Sequence, residues 1–290
     1  MTRTLTAPGA TLAYDLREAA TTEPVLLLIG SPMGAGGFAT LASHFPDRTV
    51  ATYDPRGVER STKDDPTAPS TPEQHADDLH RVIEAIGRGP VDLFASSGGA
   101  VNALALVAAH PGDVRTLVAH EPPLAALLPD REGALAAARS VTDAYQQDGF
   151  GAGMARFIGI ASQRGPFTLE DAVAPTPDPA VFGLPTADDG TRDDPLLFQN
   201  MISSTHYEPD FGALAAAPTR IVIGVGVGVG SAGELACRGG LAAADRLGIS
   251  AVSFPGDHGG FLGGEYGQAG DPDGFAALLR EILEAPVQRA

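Results

Sequence analysis

Residue types that form covalent or metal crosslinks are scarce in this sequence. Its 290 residues include a single cysteine, Cys237, and no tryptophan, and Lys63 is the only lysine. One cysteine excludes a disulfide framework within the chain and a cysteine-rich zinc site. A chain of this length can bury about three-quarters of its unfolded surface, so a hydrophobic core can hold the fold without such crosslinks.

Positive charge is also scarce. The chain has 36 Asp and Glu against 19 Lys and Arg, which gives a formal net charge of −17. Nucleic acids and anionic membrane surfaces bind proteins through basic faces, so we predict neither as a partner and expect a small-molecule substrate instead. Hydrophobic residues make up 43% of the chain and charged residues 19%, as is typical of a globular protein. The composition indicates no particular oligomeric state.

Long hydrophobic runs are missing as well. The longest candidates, Val25–Ile29 and Ile221–Val229, have the length of a strand. A membrane-spanning helix needs roughly 18 apolar residues in succession. The N-terminal residues alternate in polarity and lack the apolar core of a secretory signal. We therefore predict a cytoplasmic protein.

Short apolar runs alternate with amphipathic stretches over most of the chain. Two alternating runs separated by Pro8-Gly9 predict an antiparallel hairpin, and later strands are followed by helices. This order is typical of an α/β fold with a mostly parallel central sheet and helices on both faces. The predicted strands are 2–6, 11–16, 25–29, 50–53, 91–95, 114–119, 220–225 and 251–254, and the predicted helices are 71–87, 98–110, 231–247 and 272–283.

The alternation stops in the middle of the sequence. Residues 124–215 show helical texture over 132–147 and 151–163 and loops rich in Pro and Asp, with no clear strand. We predict that this segment is a helical cap inserted into a core domain formed by residues 1–123 and 216–290.

The strand-to-helix turn at Ser97 carries the strongest chemical signal. The sequence around it reads VDLFASSGGA, so a strand turns directly into a helix. Ala95 and Gly99 are small enough for strand and helix nearly to touch, as the turn that holds a serine nucleophile requires. Ser96 is the rival nucleophile, but the matching neighbour on its strand side is Phe94, which is too large for the turn.

Four motifs, in family order, make this sequence resemble the α/β-hydrolase superfamily over nearly its whole length. They are a Gly-Ser-Pro-Met-Gly loop after the third strand, the turn from Asp54 to Ser61, the Ser97 turn and a late Asp-His-Gly-Gly-Phe that begins at Asp257. The second motif reads DPRGVERS and is similar to the family's Asp-x-Arg-Gly-x-Gly-x-Ser. The resemblance implies an α/β-hydrolase core with a cap and assigns Ser97 as the nucleophile.

The resemblance also implies an oxyanion hole that involves Gly30, Ser31 and Gly98. The Gly98 N–H is expected at a helix N-terminus, where it can stabilise a negative charge. The second donor implied by the family is the N–H of Ser31, because Pro32 has no N–H. Ile29 stands where the family's loop commonly has histidine, and we expect little functional loss from this change.

The general base is expected on the loop after the last strand. Of the seven histidines, only His258 follows that strand, and the glycines around it let its ring swing over Ser97. Four other histidines fall on predicted helices, where a solvated or capping role is expected. His206 lies in the predicted cap and is a candidate for substrate contact.

The acid of the triad departs from the usual family position. That position follows the strand ending at Val225, where the sequence reads GVGVGVGS and offers no carboxylate. A minority of the family supplies the acid after the strand that follows the nucleophile helix, and this sequence has Glu121 there. We assign Glu121 to orient His258, with Glu234 or a missing acid as alternatives. Asp257 adjoins His258 but can rarely reach round to its Nδ1.

We predict no cofactor and no metal site. The Val-Gly alternation suggests a dinucleotide loop, but it comes late in the chain, so we predict no nucleotide site there. We expect these glycines to allow a close approach between loops at the active site instead. The sequence shows no phosphate-binding loop and no His, Cys and Asp cluster with metal-ligand spacing.

These motifs predict a serine hydrolase that cleaves an ester, lactone or thioester through an acyl-enzyme. Two alternatives stay open: a lyase or cofactor-free enzyme on the same fold, and a non-catalytic ligand-binding protein that lacks the usual acid. We expect the cap to shape an apolar pocket, although core packing is the simpler role for each apolar cap residue. The candidate lining residues are Phe157, Ile158, Phe167, Phe182, Leu197 and Phe198.

Overall fold

A computed structural model describes residues 2–228 and 231–285. Within these residues the chain builds one sheet of nine strands, and the mostly parallel α/β architecture is confirmed. In chain order the strands are β1 (Thr2–Ala7), β2 (Ala10–Arg17), β3 (Leu26–Ile29), β4 (Val50–Tyr53), β5 (Thr62–Lys63), β6 (Val91–Ser96), β7 (Val114–His120), β8 (Arg220–Gly226) and β9 (Val252–Phe254).

The strand order of the sheet creates a crevice between β3 and β6. The order is β1-β2-β4-β3-β6-β7-β8-β9, with β5 paired to β2 at one side. β2 is antiparallel to β1, β4 and β5, and every pair from β4–β3 to β8–β9 is parallel. The chain runs outward from β3 to β4 and then crosses back to β6. In α/β sheets such a reversal opens a binding crevice at the carboxyl ends of the two strands.

Helices cover both faces of the sheet because its central strands are apolar on both sides. Along β3, Leu26 and Leu28 belong to one core cluster and Leu27 to the other, as the period of two requires. In chain order the helices are α1 (Ala39–Ser43), α2 (Pro72–Ile86), α3 (Gly98–Ala109), α4 (Arg131–Ala161), α5 (Leu169–Val173), α6 (Met201–Thr205), α7 (Phe211–Ala216), α8 (Leu235–Leu247) and α9 (Pro272–Glu284).

The two core clusters assign the long helices to their faces. Side chains of α2, α3 and α8 pack in the cluster that contains Leu27, and side chains of α1 and α9 pack in the cluster that contains Leu28. The predicted α2 shows how local signals set its bounds: Thr71 and Gln74 form a capping box, and Gly87 ends the helix in the left-handed conformation. Among the described helices, none combines the length and the hydropathy that a bilayer span requires.

Residues 124–215, here called the cap segment, add no strand to the sheet. The two helices predicted over 132–147 and 151–163 form α4, which is interrupted at Gly149, where φ is 84°. The segment has its own apolar cluster, in which Tyr145 and Leu197 are fully buried. The division into a core domain and a cap domain stays a prediction.

Two boundaries near the site differ from the sequence prediction. The helix predicted from residue 231 begins at Leu235, because Gly233 has a φ of 85° and the preceding residues form turns. The amides of Ser231 and Glu234 donate to the carbonyls of Gly228 and Ser231 in these turns, at 3.1 Å each. Val229 and Gly230, which belong to the Val-Gly alternation of the sequence, lie outside the described residues. The short strand β5 was not expected from the sequence.

Candidate active site

Ser97 occupies a strained turn between β6 and α3. Its φ of 57° and ψ of −128° are unusual for a residue with a side chain, and such strain clusters at functional sites. A Cβ added to Gly99 would lie 2.8 Å from the Cα of Gly30, so only glycine fits where helix and loop meet. The Ser97 N–H donates to the His120 carbonyl at 2.9 Å, which ties the turn to β7. The turn therefore holds the Ser97 hydroxyl at the carboxyl end of the sheet.

The loop after β3 packs directly against the start of α3. A Cβ on Gly98 would lie 2.5 Å from the Ser31 carbonyl oxygen. Ser31, Ser97 and Gly98 line one cavity. Gly98 is the first residue of α3, and the first N–H groups of a helix have no intrahelical acceptor, so this amide is free to bind an anion. Gly30, also predicted for this site, lies against Gly99.

A buried carboxylate fixes the loop that contains Ser31. Asp54, in the turn after β4, accepts a hydrogen bond from the Ala35 N–H at 2.8 Å. Its second oxygen accepts from the Arg60 guanidinium at 2.6 Å. Glu59 stands where the similar family motif has glycine, and its φ of 46° explains that preference for glycine. The Asp54 turn thus positions the loop that supplies the candidate oxyanion donor.

His258 and Glu121 form a close side-chain pair. The Nδ1 of His258 lies 2.6 Å from Oε2 of Glu121. A carboxylate accepts, so Nδ1 carries the proton and Nε2 is left to accept one. The Glu121 side chain is 1% exposed and that of His258 is 40% exposed. His258 lines the same cavity as Ser97, so the structure brings the predicted nucleophile and base to one place.

The surroundings of Glu121 stabilise its charged form. Burial opposes ionisation, but the hydrogen bond with His258 and the backbone N–H of Gly226 outweigh it and lower the pKa of Glu121. The Gly226 N–H donates to Oε1 at 2.8 Å. Sequence reasoning missed this amide. It lies at the end of β8, the strand after which the family usually supplies the acid.

The glycines of the Val-Gly alternation allow the close contact that we predicted for them. A Cβ on Gly226 would lie 2.9 Å from the backbone of Asp257, and one on Gly228 would lie 2.9 Å from the backbone of Gly256. The loop that contains His258 therefore packs against the end of β8.

The alternative acids do not contact His258. Asp257 accepts from the N–H of Gly259 at 3.1 Å, which closes the turn beside the imidazole. Glu234 lines the cavity but has no hydrogen bond or ion pair with a described side chain. Its pKa is raised, first by burial and then by the charge of Glu121.

The remaining candidate histidine lies elsewhere. His206 contacts the Arg139 guanidinium at 3.2 Å and is absent from the cavity lining within the described residues. Burial and that guanidinium lower its pKa. His206 therefore does not line this cavity, and its contact with substrate stays a prediction.

The cavity has a volume of about 470 Å³ and a largely apolar wall. Phe157 and Ile158 line it, as expected. Phe167 and Leu197 are instead buried in the cap segment's own cluster, and Phe182 is 40% exposed. Apolar lining residues that sequence reasoning did not name include Met33, Ile160, Leu196, Met201, Leu235, Phe261 and Leu262.

One histidine cluster away from this cavity was not expected from the sequence. His80, His110 and Asp113 place ligand atoms within 4.8 Å of one another. His80 Nδ1 lies 2.7 Å from Asp113, and the two imidazole rings stack at 3.9 Å with an angle of 7°. Imidazole lone pairs lie in the ring plane, so parallel rings do not converge on one ion. In this conformation the cluster is a stacked, hydrogen-bonded group.

The order and geometry of these elements agree with one known family. A sequence model of the alpha/beta hydrolase fold matches residues 23–214, from β3 to α7. The chain belongs to the alpha/beta hydrolase fold family. The predicted resemblance is thereby confirmed for the family and the fold.

Several solved structures are similar to this one along nearly the whole chain. MGS-M2, an alpha/beta hydrolase from a deep-sea metagenome, is 16% identical with a TM-score of 0.71 and covers 99% of both chains. A thermophilic esterase from Thermogutta terrifontis is 19% identical with a TM-score of 0.65 and covers 98% of both chains. The enol-lactonase from Burkholderia xenovorans is 15% identical with a TM-score of 0.66, over 98% of this chain and all (100%) of that one. At identities of 15–19% this similarity shows a shared alpha/beta hydrolase fold.

One curated relative is similar in sequence over part of its length. The uncharacterized hydrolase YraK of Bacillus subtilis is 38% identical over 131 residues. The match covers 44% of this chain and 47% of YraK, so it spans about half the length of YraK.

Proposed function

We propose that this chain is a serine hydrolase that cleaves an ester, lactone or thioester of a small molecule through an acyl-enzyme. The observation that carries the proposal is the shared cavity: Ser97 lines it from a strained turn, and His258, held by Glu121, lines it from the opposite loop. The similar proteins described above, a hydrolase, an esterase and an enol-lactonase, support the same reaction class.

In the proposed reaction His258 takes the proton of Ser97 as the hydroxyl oxygen attacks the substrate carbonyl. Glu121 holds Nδ1–H, so Nε2 faces the reaction, and the carboxylate stabilises the imidazolium that forms. The N–H groups of Ser31 and Gly98 receive the negative charge on the carbonyl oxygen. The leaving group departs with the proton, and a water molecule deprotonated by His258 releases the acid.

A labelling experiment tests the assignment of the nucleophile. We expect a fluorophosphonate probe to modify wild-type protein at Ser97, as identified by peptide mass spectrometry, and to leave Ser97→Ala unmodified. A 4-nitrophenyl ester should give turnover that the same substitution lowers by about 10⁴ or more. A folded wild-type protein that takes up no probe would contradict the proposal and favour a ligand-binding role.

The product of the reaction separates hydrolysis from elimination on the same fold. In water enriched in ¹⁸O, hydrolysis through an acyl-enzyme places one solvent oxygen in the released acid. A product without solvent oxygen would favour the lyase alternative.

A further inference from the structure

The wall of the catalytic cavity has an unusual charge pattern. Among the described residues that line it, Glu234 is the one carboxylate, and there is no lysine or arginine. Most other lining residues are apolar, and the polar ones are hydroxyl and amide side chains apart from His258. A substrate placed here therefore meets a negative group and finds no cation.

The carboxylate of Glu234 has no hydrogen-bond partner among the described residues. Glu234 precedes α8 at the position that often caps a helix, yet its side chain makes no capping hydrogen bond. Within residues 2–228 and 231–285 it forms no salt bridge, although Arg164 is near enough to act on its charge. Glu234 and His258 line the same cavity, and the charges of Glu121, His258 and Asp257 act on Glu234 as well.

We propose that Glu234 is a specificity-determining residue that restricts the site to substrates without a negative charge. The proposal rests on the serine-hydrolase function proposed above. A carboxylate that enters the cavity loses its hydration, gains no lysine or arginine there, and is repelled by Glu234. A neutral chain of the same length keeps its contacts with the apolar wall, and an ammonium group can pair with Glu234.

Three esters of matched length test this selectivity. We compare kcat/KM for the 4-nitrophenyl esters of heptanoic acid, adipic acid with its far carboxyl free, and 6-aminohexanoic acid, at pH 8 and after subtraction of the uncatalysed rates. For the wild-type protein we expect the hydrogen adipate ester to react at least about tenfold more slowly than the heptanoate ester. The aminohexanoate ester should also react faster than the adipate ester.

Charge-removing variants then assign the effect to one residue. Glu234→Gln should reduce the preference for heptanoate over adipate by at least about threefold. Glu84→Gln removes the same charge from the exposed surface of α2 and should leave the ratio unchanged. If Glu234→Gln fails to fold, the wild-type protein is measured at increasing salt concentration instead. Salt screens the repulsion from Glu234, so the preference for heptanoate over adipate should decrease.

The outcomes separate this inference from the function on which it rests. Equal rates for heptanoate and adipate with the wild-type protein, or an unchanged ratio in folded Glu234→Gln, would overturn the charge selectivity while leaving the hydrolase standing. No turnover of any of the three esters, together with no fluorophosphonate labelling of Ser97, would overturn the proposed function and the selectivity with it.

Discussion

The Gly226 N–H donates to Oε1 of Glu121 at 2.8 Å, across the neighbouring strands β7 and β8. The family usually supplies the triad acid after β8. Here the end of β8 supplies a backbone donor instead, and the acid, Glu121, directly follows β7. The other oxygen of Glu121 is held by Nδ1 of His258 at 2.6 Å. Both carboxylate oxygens therefore accept a hydrogen bond, and the one from Nδ1 fixes the orientation of the imidazole.

Glu121→Gln is expected to lower kcat by roughly a hundredfold or more with little change in KM. The amide keeps the size of the side chain but presents no negative charge to the imidazolium. Steady-state kinetics with a 4-nitrophenyl ester measures the loss, and circular dichroism checks the fold. Asp257→Asn is the matched control, because Asp257 lies next to His258 but bonds Gly259, and it should lose less than about tenfold. Wild-type activity in Glu121→Gln would exclude the triad role.

Gly98→Ala is expected to lower kcat by about 10²- to 10³-fold because it displaces one of the two proposed oxyanion donors. The added methyl group would lie 2.5 Å from the Ser31 carbonyl oxygen, so the loop with the second donor must move away. Gly112→Ala is the control, since a Cβ at Gly112 meets nothing within 4 Å. Burst kinetics checks the result: the acylation rate should fall in Gly98→Ala alone. Equal acylation rates in the two variants would show that the Ser31 loop does not bind the oxyanion.

The parts of the fold and site that follow local rules could be predicted from the sequence. The turn at Ser97 needs small residues on both sides, so a short pattern located it. Helix bounds such as Pro72 and Gly87 follow from capping chemistry. Continuous apolar runs identified the buried parallel strands, and the family resemblance implied that His258, on the loop after the last strand, would meet Ser97. The structure places both residues in the lining of one cavity.

What depends on contacts between distant segments could not be predicted. The apolar character of Phe167 and Leu197 indicates that they are buried but not which neighbours cover them, and both pack within the cap segment. The Gly226 amide carries no side-chain signal, so its bond to Glu121 is visible only in three dimensions. His80 and Asp113 are 33 residues apart, and their contact depends on how α2 packs against α3.

Asp92→Asn is expected to lower the free energy of unfolding by about 3–5 kcal/mol without changing the chemistry at Ser97. Asp92 is fully buried near the start of β6, the end of the strand opposite the active site. Its carboxylate binds Arg48 at 2.6 Å and Arg115 at 2.6 Å, so neutralising it leaves the buried Arg48 without its counter-charge.

The measurement for Asp92→Asn is urea unfolding at neutral pH, alongside kcat at a temperature where the variant is folded. Asp47→Asn is the control, because it breaks a surface pair with Arg280 that should be worth about 0–1 kcal/mol. A similar small loss in both variants would mean that the buried pair contributes no more than the exposed one.

His120→Met is expected to flatten the dependence of stability on pH in acid. His120 is fully buried among phenylalanines such as Phe254 and Phe275, and neither ring nitrogen has a described hydrogen-bond partner. Burial lowers its pKa from 6.5 to about 4, with a smaller opposing effect of Glu121. Between these two values the unfolded chain binds a proton that the folded protein does not bind. The free energy of unfolding contributed by His120 is therefore intact above pH 6.5 and is lost as the pH falls toward about 4.

Methionine at position 120 fills a similar volume and cannot titrate. The free energy of unfolding of this variant should therefore change less steeply with pH, by at most about 1.4 kcal/mol per pH unit, which is the contribution of one proton. Urea unfolding at several pH values between 4.5 and 6.5 measures the slope for both proteins, within the window set by His120. The wild type should show the steeper curve, and His120→Met should keep some slope because His75, whose pKa burial also lowers to about 4, titrates in both proteins. Parallel curves would mean that the imidazole at position 120 is protonated in the folded protein over this range, and the neutral, apolar setting inferred for it would be wrong.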